Sequence, residues 1–542
     1  MALSLPSDVD QLHTLVAELH KEKHNYEVEN RLLRERIKQL TQQLYGRKSE
    51  KLLPDDNFEQ CGLFEDAGES NRVEPATVEE IITVPSYRRK KKGGRKLLSD
   101  SLPRIEVEHD IEESEKQCAC GSQMSRIGQE VSERLEMHPA RFWVERHIRP
   151  KYACKNCEGV ESVDGSVKIA PCAPQLLPKS ISSPSLLSHI LVGKFCDSIP
   201  FYRQEKQFLR LGFVLGRATM CNWAIKVADK CKPMVDLLRH EILSGPLINI
   251  DETRTQVLKE QGRAPESNSF MWVYRGGMAD RPAVVFRYSP SRSGTEASEF
   301  LGGYRGNVQT DGYSGYDFLD TRAGIIHAGC WAHVRRKFIE VLGPKKVKNK
   351  RNIGGMGKAG QALEFIRELY AVEKKAGEEG LGPDLLREER QRESKPILEK
   401  FKEWLAATGP HIPPKSLLGK AFIYTQSQWP RLIKYLDDGN IRMDNNLAEN
   451  AIRPFVVGRK NWLFSDVPEG AEASAILYSL IETAKSNGLE PYQYFCYLFD
   501  KLPVALDEEK MKALLPMNLT VDILETHQKE YRERWKIFES KI

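Results

Sequence analysis

A change of rhythm at residue 246 limits what this chain can fold into more than any other feature. Upstream, apolar residues repeat mainly at helical spacing. Downstream they fall into short β-rich runs: LINIDET (247–253), MWVYRGG (271–277) and AVVFRYS (283–289). A polar loop with Gly262 and Pro265 separates the first two. A helical stretch follows, TEASEFLGG, then a strand in GNVQTDGY, and a strand in AGIIHAG that runs into the helix WAHVRRKFIEVL. Three strands able to form a meander, followed by alternating helices and strands, predict an α/β fold: a mixed sheet with helices on its faces.

The ribonuclease-H-like fold has this element order, and two acids sit where it makes them useful. Asp251 follows the apolar run Leu247-Ile248-Asn249-Ile250, so its strand is expected to be central and buried. A carboxylate there is costly unless it is paired or binds a cation. Asp311 ends the strand Asn307–Thr310, and Gly312 lets the chain turn. If the two strands are parallel neighbours, the carboxylates converge. A third acid is available in Asp444-Asn-Asn-Leu-Ala-Glu449-Asn-Ala-Ile-Arg453-Pro. Asp444 or Asn445 is expected to cap a helix with Glu449 in its second turn, Arg453 on the same face at i+4, and Pro454 limiting the helix. Cutting a phosphodiester needs an activated nucleophile and a stabilised leaving oxygen, and two Mg²⁺ (or Mn²⁺) ions serve both ends. Mg²⁺ prefers a few carboxylates plus waters and substrate oxygens to a full protein cage. In this reading Asp251 bridges two ions, and Asp311 and Glu449 each complete one site. Spacing alone does not single out this trio in a chain with 76 acidic residues.

The upstream half carries three further signals. Val9, Leu12, Val16, Leu19, Lys23, Tyr26, Asn30, Leu33, Ile37, Leu40 and Leu44 alternate three and four apart, an a/d heptad stripe. Asn30 and Lys23 at a positions favour a two-stranded parallel homodimer; packing of the stripe on the chain's own body is the alternative. Cys118-Ala-Cys120 and Cys154-Lys-Asn-Cys157 supply four thiolates for one structural Zn²⁺, with strand-like alternation between them. SLLSHILVGKF, FYRQEKQFLRL and RATMCNWAIKVA are three short amphipathic segments between Pro184 and Lys230. They have the size of a helix-turn-helix, with Arg217, Thr219 and Asn222 at the start of its recognition helix, and equally the size of an ordinary helical subdomain.

Charge is informative by distribution rather than by the net value of +5. Residues 55–80 hold nine acidic side chains against one basic, and RRKKKGGRK (88–96) holds seven basic in nine. The basic block reads either as a solvated linker or as a phosphate-contacting arm. No run approaches a membrane span and no secretory signal is evident, so a cytoplasmic, nucleoid-associated location is expected.

Motifs in order then point to a family. Asp251-Glu252-Thr253, Thr310-Asp311-Gly312-Tyr313-Ser314-Gly315-Tyr316, Gly329-Cys330-Trp331-Ala332-His333-Val334-Arg335-Arg336-Lys337-Phe338 and Asn446-Leu447-Ala448-Glu449-Asn450-Ala451-Ile452-Arg453-Pro454 resemble transposases of the insertion sequence sixty-six family. So do Gly458-Arg459-Lys460-Asn461-Trp462-Leu463-Phe464, Ser479-Leu480-Ile481-Glu482-Thr483-Ala484, Leu44-Tyr45-Gly46-Arg47-Lys48-Ser49-Glu50-Lys51 and Phe201-Tyr202-Arg203-Gln204. The resemblance implies a DDE-type transposase that cleaves and joins DNA on a ribonuclease-H-like core. It also implies a zipper, a zinc module, a helix-turn-helix for transposon ends, a largely helical insertion between the second and third acids, and small accessory transposition proteins as partners beside transposon-end and target DNA. Asp251, Asp311 and Glu449 take the catalytic positions. Cys330-x-x-His333 matches a signature near the second acid, where His333 either contacts DNA or is structural. Arg335 and Arg336, which follow it, are expected to contact DNA as well. Arg453, Arg459 and Lys460, with Trp462 and Phe464 nearby, suit a DNA strand end or, alternatively, a charged helix edge over a packed Trp. Asn450 stands where many relatives have Arg, and Gly94-Arg95-Lys96 lacks the usual Pro-rich turn.

The expected organisation is a coiled-coil helix (1–47), a linker (48–100), a zinc module (101–175), a helix-turn-helix-like domain (176–243), the core's first part (244–342), the insertion (343–440), the core's last part (441–505) and a helical tail (506–542). The competing readings are a catalytically inactive zinc-containing DNA-binding regulator on the same scaffold, and a structure-specific nuclease or resolvase.

Overall fold

A computed structural model describes residues 142–153, 167–342 and 357–539, with isolated positions between 8 and 26. Most of the heptad stripe, the charged linker and all four predicted zinc cysteines lie outside the described residues. Two compact units are distinguished, residues 67–170 and the remainder. In the smaller unit, β1 (Lys151–Ala153) pairs antiparallel with β2 (Val167–Ile169), Tyr152 opposite Lys168.

The larger unit begins with α1 (Pro184–Phe195), α2 (Phe201–Arg210) and α3 (Arg217–Ser244). Ser183 caps α1 by accepting the N–H of Leu186. The third helix is longer than its short amphipathic segment suggests: it runs 28 residues, through Pro233, to the first strand of the sheet. Its length follows from continuous burial, since Met220, Val227, Cys231, Met234, Leu238 and Ile242 form one apolar stripe at helical spacing. That stripe belongs to the same core as the sheet.

Next come β3 (Leu247–Gln256), β4 (Asn268–Met278), β5 (Arg281–Ser289), α4 (Gly294–Leu301), β6 (Gly306–Gln309), a 3₁₀ turn (Ser314–Asp320) and β7 (Ile325–Ala328). The sheet order is β5-β4-β3-β6-β7: the meander pairs antiparallel, whereas β3, β6 and β7 run parallel. The expected element order is therefore observed. β3 is central, and residues 247–252 on it are all buried.

Alternation gives the two sides of β3 different tasks. Glu252 lies opposite Trp272 and Ile250 opposite Tyr274, on the side where Tyr274 stacks on Phe300 of α4 at 3.6 Å. Asn249 and Asp251 face the other way. The free edge of β5 is covered by α11 (Pro468–Ser486), a helix whose side chains replace a missing strand. Ser479 Oγ accepts the N–H of Phe286 at 2.8 Å, and Thr483 Oγ1 both accepts from Val284 N–H and donates to its carbonyl, each at 3.0 Å. Asn487 continues the line to the Pro282 carbonyl.

Between them lie α5 (Trp331–Leu342), the helices α6 (Gly357–Glu378), α7 (Pro383–Glu389), α8 (Lys395–Thr408) and α9 (Leu417–Leu432), and then α10 (Asn446–Trp462). The inserted helices have a core of their own, with Ile366, Phe401, Phe422, Trp429 and Leu432 packed around Trp331. After α11 come α12 (Pro491–Lys501), α13 (Glu508–Ala513) and α14 (Val521–Glu539). No described helix is long and apolar enough to cross a membrane.

Candidate active site

The pairing of β3 with β6 sets Asn249 opposite Gln309, a register difference of 60 residues. Asp251, midway along β3, and Asp311, just past the end of β6, are each two residues farther on, with the same separation. The third acid is brought in by α10, which packs on β3 and β4. Its start is fastened by Asn445, whose amide nitrogen donates to the Ile250 carbonyl at 2.8 Å and whose amide oxygen accepts from Asn249 at 2.8 Å. Asn249 also donates to Gln309 at 3.0 Å, and Gln309 donates to the carbonyls of Gly329 and Arg442. Three buried amides thus join the three elements that carry the acids. Step two residues along each strand and four along α10, and the amides Asn249, Gln309 and Asn445 give way to Asp251, Asp311 and Glu449.

Two local expectations are corrected. Asn445 is the N-cap residue but makes no side-chain cap, because its amide is used between strand and helix; Asp444 instead accepts the Asn446 N–H. Glu449 consequently stands in the first turn, not the second. Pro454 does not limit the helix, which continues to Trp462. Burial of Ile452, Phe455 and Val456 around the proline offsets the lost backbone hydrogen bond.

Two of the acids are shielded from water, Asp251 at 3% exposed and Glu449 at 2%, and Asp311 is half-buried. Burial pushes Asp251 well above the carboxylate range, and the charges of Glu252, Glu449 and Asp311 push it further. Burial raises Asp311 too, opposed by the Tyr313 N–H that its Oδ1 accepts at 2.9 Å and by Arg292, Arg336 and Arg431. Burial lifts Glu449 to about 7; Arg336 opposes this, while Asp444 and Asp311 reinforce it. Carboxylates that raise one another's pKa in a buried pocket are a poor way to stabilise a fold and a good way to bind a cation.

Neighbouring side chains hold this arrangement. Arg336 is buried, with its Nη2 3.4 Å from Glu449 Oε2. The His333 Nδ1 is 3.6 Å from Glu449 Oε1, but burial, Arg336 and Lys337 lower the imidazole to about 3, so it is neutral and the contact is no ion pair. On the opposite side of β3, Glu252 is bound by Arg292 (Nε at 2.7 Å) and by the Tyr316 hydroxyl. Arg292 lies 3.7 Å over the Tyr313 ring. Gly312 admits Tyr424 of α9, since a Cβ there would sit 2.7 Å from that ring. Arg431, also on α9, pairs with Asp317 and Asp320.

The predicted DNA-contacting residues are dispersed. Arg217 and Asn222 are exposed and Thr219 half-buried at the start of α3, while Arg335 is half-buried on α5. Arg453 and Lys460 are exposed and Arg459 half-buried on α10. Trp462 is used for packing: it meets Phe195 edge to face, lies under the Lys194 ammonium at 4.2 Å, and fills the space that a Cβ on Gly458 would need. From sequence, no site role falls to Glu252, Arg292, Asn249 or Gln309, and only a capping role to Asn445. Asn249, an amide inside an apolar run, was the available signal.

Comparison with known proteins fits this architecture. The description "Transposase IS66 family" matches residues 179–473, which span every element of the sheet and the acid-bearing part of α10. "Zinc-finger binding domain of transposase IS66" matches 115–158, "IS66 C-terminal element" 479–517, and "Transposase C of IS166 homeodomain" 32–107. Two uncharacterized proteins of Sinorhizobium fredii (strain NBRC 101917 / NGR234) are similar throughout. The protein y4jD is 31% identical over 537 residues, covering 96% of this chain and 98% of its own. The protein y4qI is 28% identical over 565 residues, with the same coverage. The class defined by this sheet, its clustered acids and these matches is that of the transposases. Within it, the chain belongs to the IS66 family.

Proposed function

We propose that this chain is a DDE transposase that binds transposon-end DNA and catalyses metal-dependent strand cleavage and strand transfer on a ribonuclease-H-like core. The observation that carries the reading is that Asp251, Asp311 and Glu449 stand on three mutually fastened elements, with the charges of Asp311 and Glu449 acting on Asp251. The β5-β4-β3-β6-β7 order, with its antiparallel meander and parallel pair, supports the core assignment. The acids fit a pair of Mg²⁺ or Mn²⁺ ions because they are hard oxygen donors whose mutual repulsion a divalent charge relieves. When bound, such ions activate a water or a DNA 3′-hydroxyl and stabilise the leaving oxygen. Asp251 from the central strand, Asp311 and Glu449 would hold the ions.

The chain's own side chains supply orientation and charge. The Tyr313 N–H fixes one oxygen of Asp311. Arg336 fixes Oε2 of Glu449, and its charge favours the ionised form. Arg453, Arg459 and Lys460 line the same helix as Glu449 and are assigned to the DNA backbone, as are Arg335 and the exposed start of α3. Cys118, Cys120, Cys154 and Cys157, within the matched zinc-finger region, are assigned to a structural Zn²⁺. The N-terminal heptads are assigned to a homodimer, with accessory transposition proteins completing the assembly in the cytoplasm.

The test is a single-turnover assay on a transposon-end duplex with Mg²⁺ or Mn²⁺, including the element's accessory proteins. Wild-type protein should nick the end and join the 3′-hydroxyl to target DNA. Equal products from wild type and Asp251→Ala overturn the assignment.

A further inference from the structure

Cys330 and His333 are two potential metal donors three residues apart, and the fold brings a third beside them. Cys330 precedes α5, and its sulfur accepts the Asn445 N–H at 3.2 Å and the backbone N–H of His333. One turn into α5, His333 turns its ring toward Glu449. A donor atom from each of Cys330, His333 and Glu449 lies within 4.8 Å of the others.

The contact between the last two is unusual. His333 Nδ1 and Glu449 Oε1 are both buried, face each other at 3.6 Å, and make no hydrogen bond. A cation satisfies both atoms at once. Zinc–nitrogen and zinc–oxygen bonds of roughly 2.0–2.2 Å in a tetrahedron put the two donors roughly 3.3–3.5 Å apart, close to the separation seen. A thiol and an imidazole do not suit Mg²⁺, which selects oxygen donors. Arg336 occupies Oε2, leaving Oε1 as the ligand.

We propose that Cys330, His333 and Glu449 form a three-ligand site for Zn²⁺, or for Co²⁺ in its place, with the fourth position open. Binding releases the Cys330 proton to solvent, together with that of Glu449 when it is protonated. The N–H groups of Asn445 and His333 then hydrogen-bond the thiolate, as outer-shell donors do in metal sites. This ion is distinct from the one assigned to the four upstream cysteines. A consequence rests on the transposase reading: zinc on Glu449 excludes the magnesium pair, so zinc inhibits cleavage while magnesium supports it.

The experiment is metal stoichiometry on the full chain, stripped and reloaded with Co²⁺, read by atomic emission and by the thiolate-to-Co²⁺ absorption band. Wild type should hold one equivalent more than Cys330→Ser, and His333→Gln should weaken that equivalent at least about tenfold. Asp251→Asn should retain it, because Asp251 is not a ligand here. Cys118→Ser should lose a different equivalent. Equal Co²⁺ content and spectra in wild type, Cys330→Ser and His333→Gln overturn the proposal. His333→Gln keeps the thiol and its two N–H donors, so a folding defect in Cys330→Ser does not obscure the answer. Binding is read without DNA, so failure of the cleavage assay leaves this result standing, and the converse also holds.

Discussion

Two adjoining tiers of one pocket share the same three supporting elements and differ in almost everything else. In the lower tier, Asn249, Gln309 and Asn445 are neutral and give their hydrogens to one another and to main-chain carbonyls. In the upper tier, Asp251, Asp311 and Glu449 are acidic; the charges of Glu449 and Asp311 raise the pKa of Asp251, and that of Asp311 raises the pKa of Glu449. The amides lock strand to strand and strand to helix, and the acids strain against being held together. The difference teaches that stability and chemistry are separated here by one side-chain step along each element. A scaffold held by neutral hydrogen bonds can keep three like charges close until a cation arrives.

The largest expected effect tests the upper tier. Asp251→Ala, Asp311→Ala or Glu449→Ala should each reduce end cleavage by on the order of 10³-fold or more, about 4 kcal/mol of barrier. Circular dichroism should stay unchanged. Retention of cleavage by any of the three would remove that residue from the chemistry.

The lower tier should respond in the opposite sense. Asn249→Leu leaves the Gln309 and Asn445 side-chain oxygens without their shared donor, at a cost of about 2–4 kcal/mol. The thermal midpoint should fall, and metal affinity should fall with it because the acids lose their alignment. An unchanged midpoint would mean that the amides merely fill space.

Charge repulsion in the upper tier makes the metal-free protein sensitive to pH. Glu449 titrates near 7 in the folded chain and Asp251 also lies well above its ordinary value. Unfolded carboxylates titrate near about 4. Between these values the folded chain holds more protons than the unfolded one. The stability contributed by these two groups is therefore full below about pH 4 and is lost as pH rises toward about 7. Asp251→Asn should raise the metal-free midpoint at about pH 8, by roughly 1–2 kcal/mol, and make little difference at about pH 4. Mg²⁺ should restore stability to wild type at the higher pH and do less for the variant. A wild-type midpoint that climbs across this window would contradict the picture.

Much of this arrangement was legible in the sequence. Strand order could be read because each strand is a short apolar run bounded by polar or Gly-containing breaks. Asp251 and Asp311 could be paired because the parallel register equals their separation. The amide tier was hidden because Asn249 sits inside a run that otherwise reads as apolar, and its partners are 60 and 196 residues away. Helix limits failed where packing overrode local signals, at Pro454 within α10 and Pro233 within α3. Arg336 reads from the family resemblance as DNA-contacting, yet it is buried and its Nη2 faces Glu449 Oε2.

A control away from both tiers gives the comparison its scale. Thr483 carries two hydrogen bonds to Val284 at the sheet edge, remote in role from the acids. Thr483→Val keeps the shape and removes both bonds, and because Thr483 and Val284 are fully buried no water replaces them, so a loss of about 2–4 kcal/mol is expected. If the amide tier acts through alignment, equal losses of stability should not have equal consequences. Thr483→Val should lower the midpoint while leaving Mg²⁺ affinity and cleavage at a permissive temperature unchanged, whereas Asn249→Leu should impair both even where the protein remains folded. Matching cleavage losses at matched stability would show that the amides matter only through global stability, and the distinction between the tiers would then be one of charge alone.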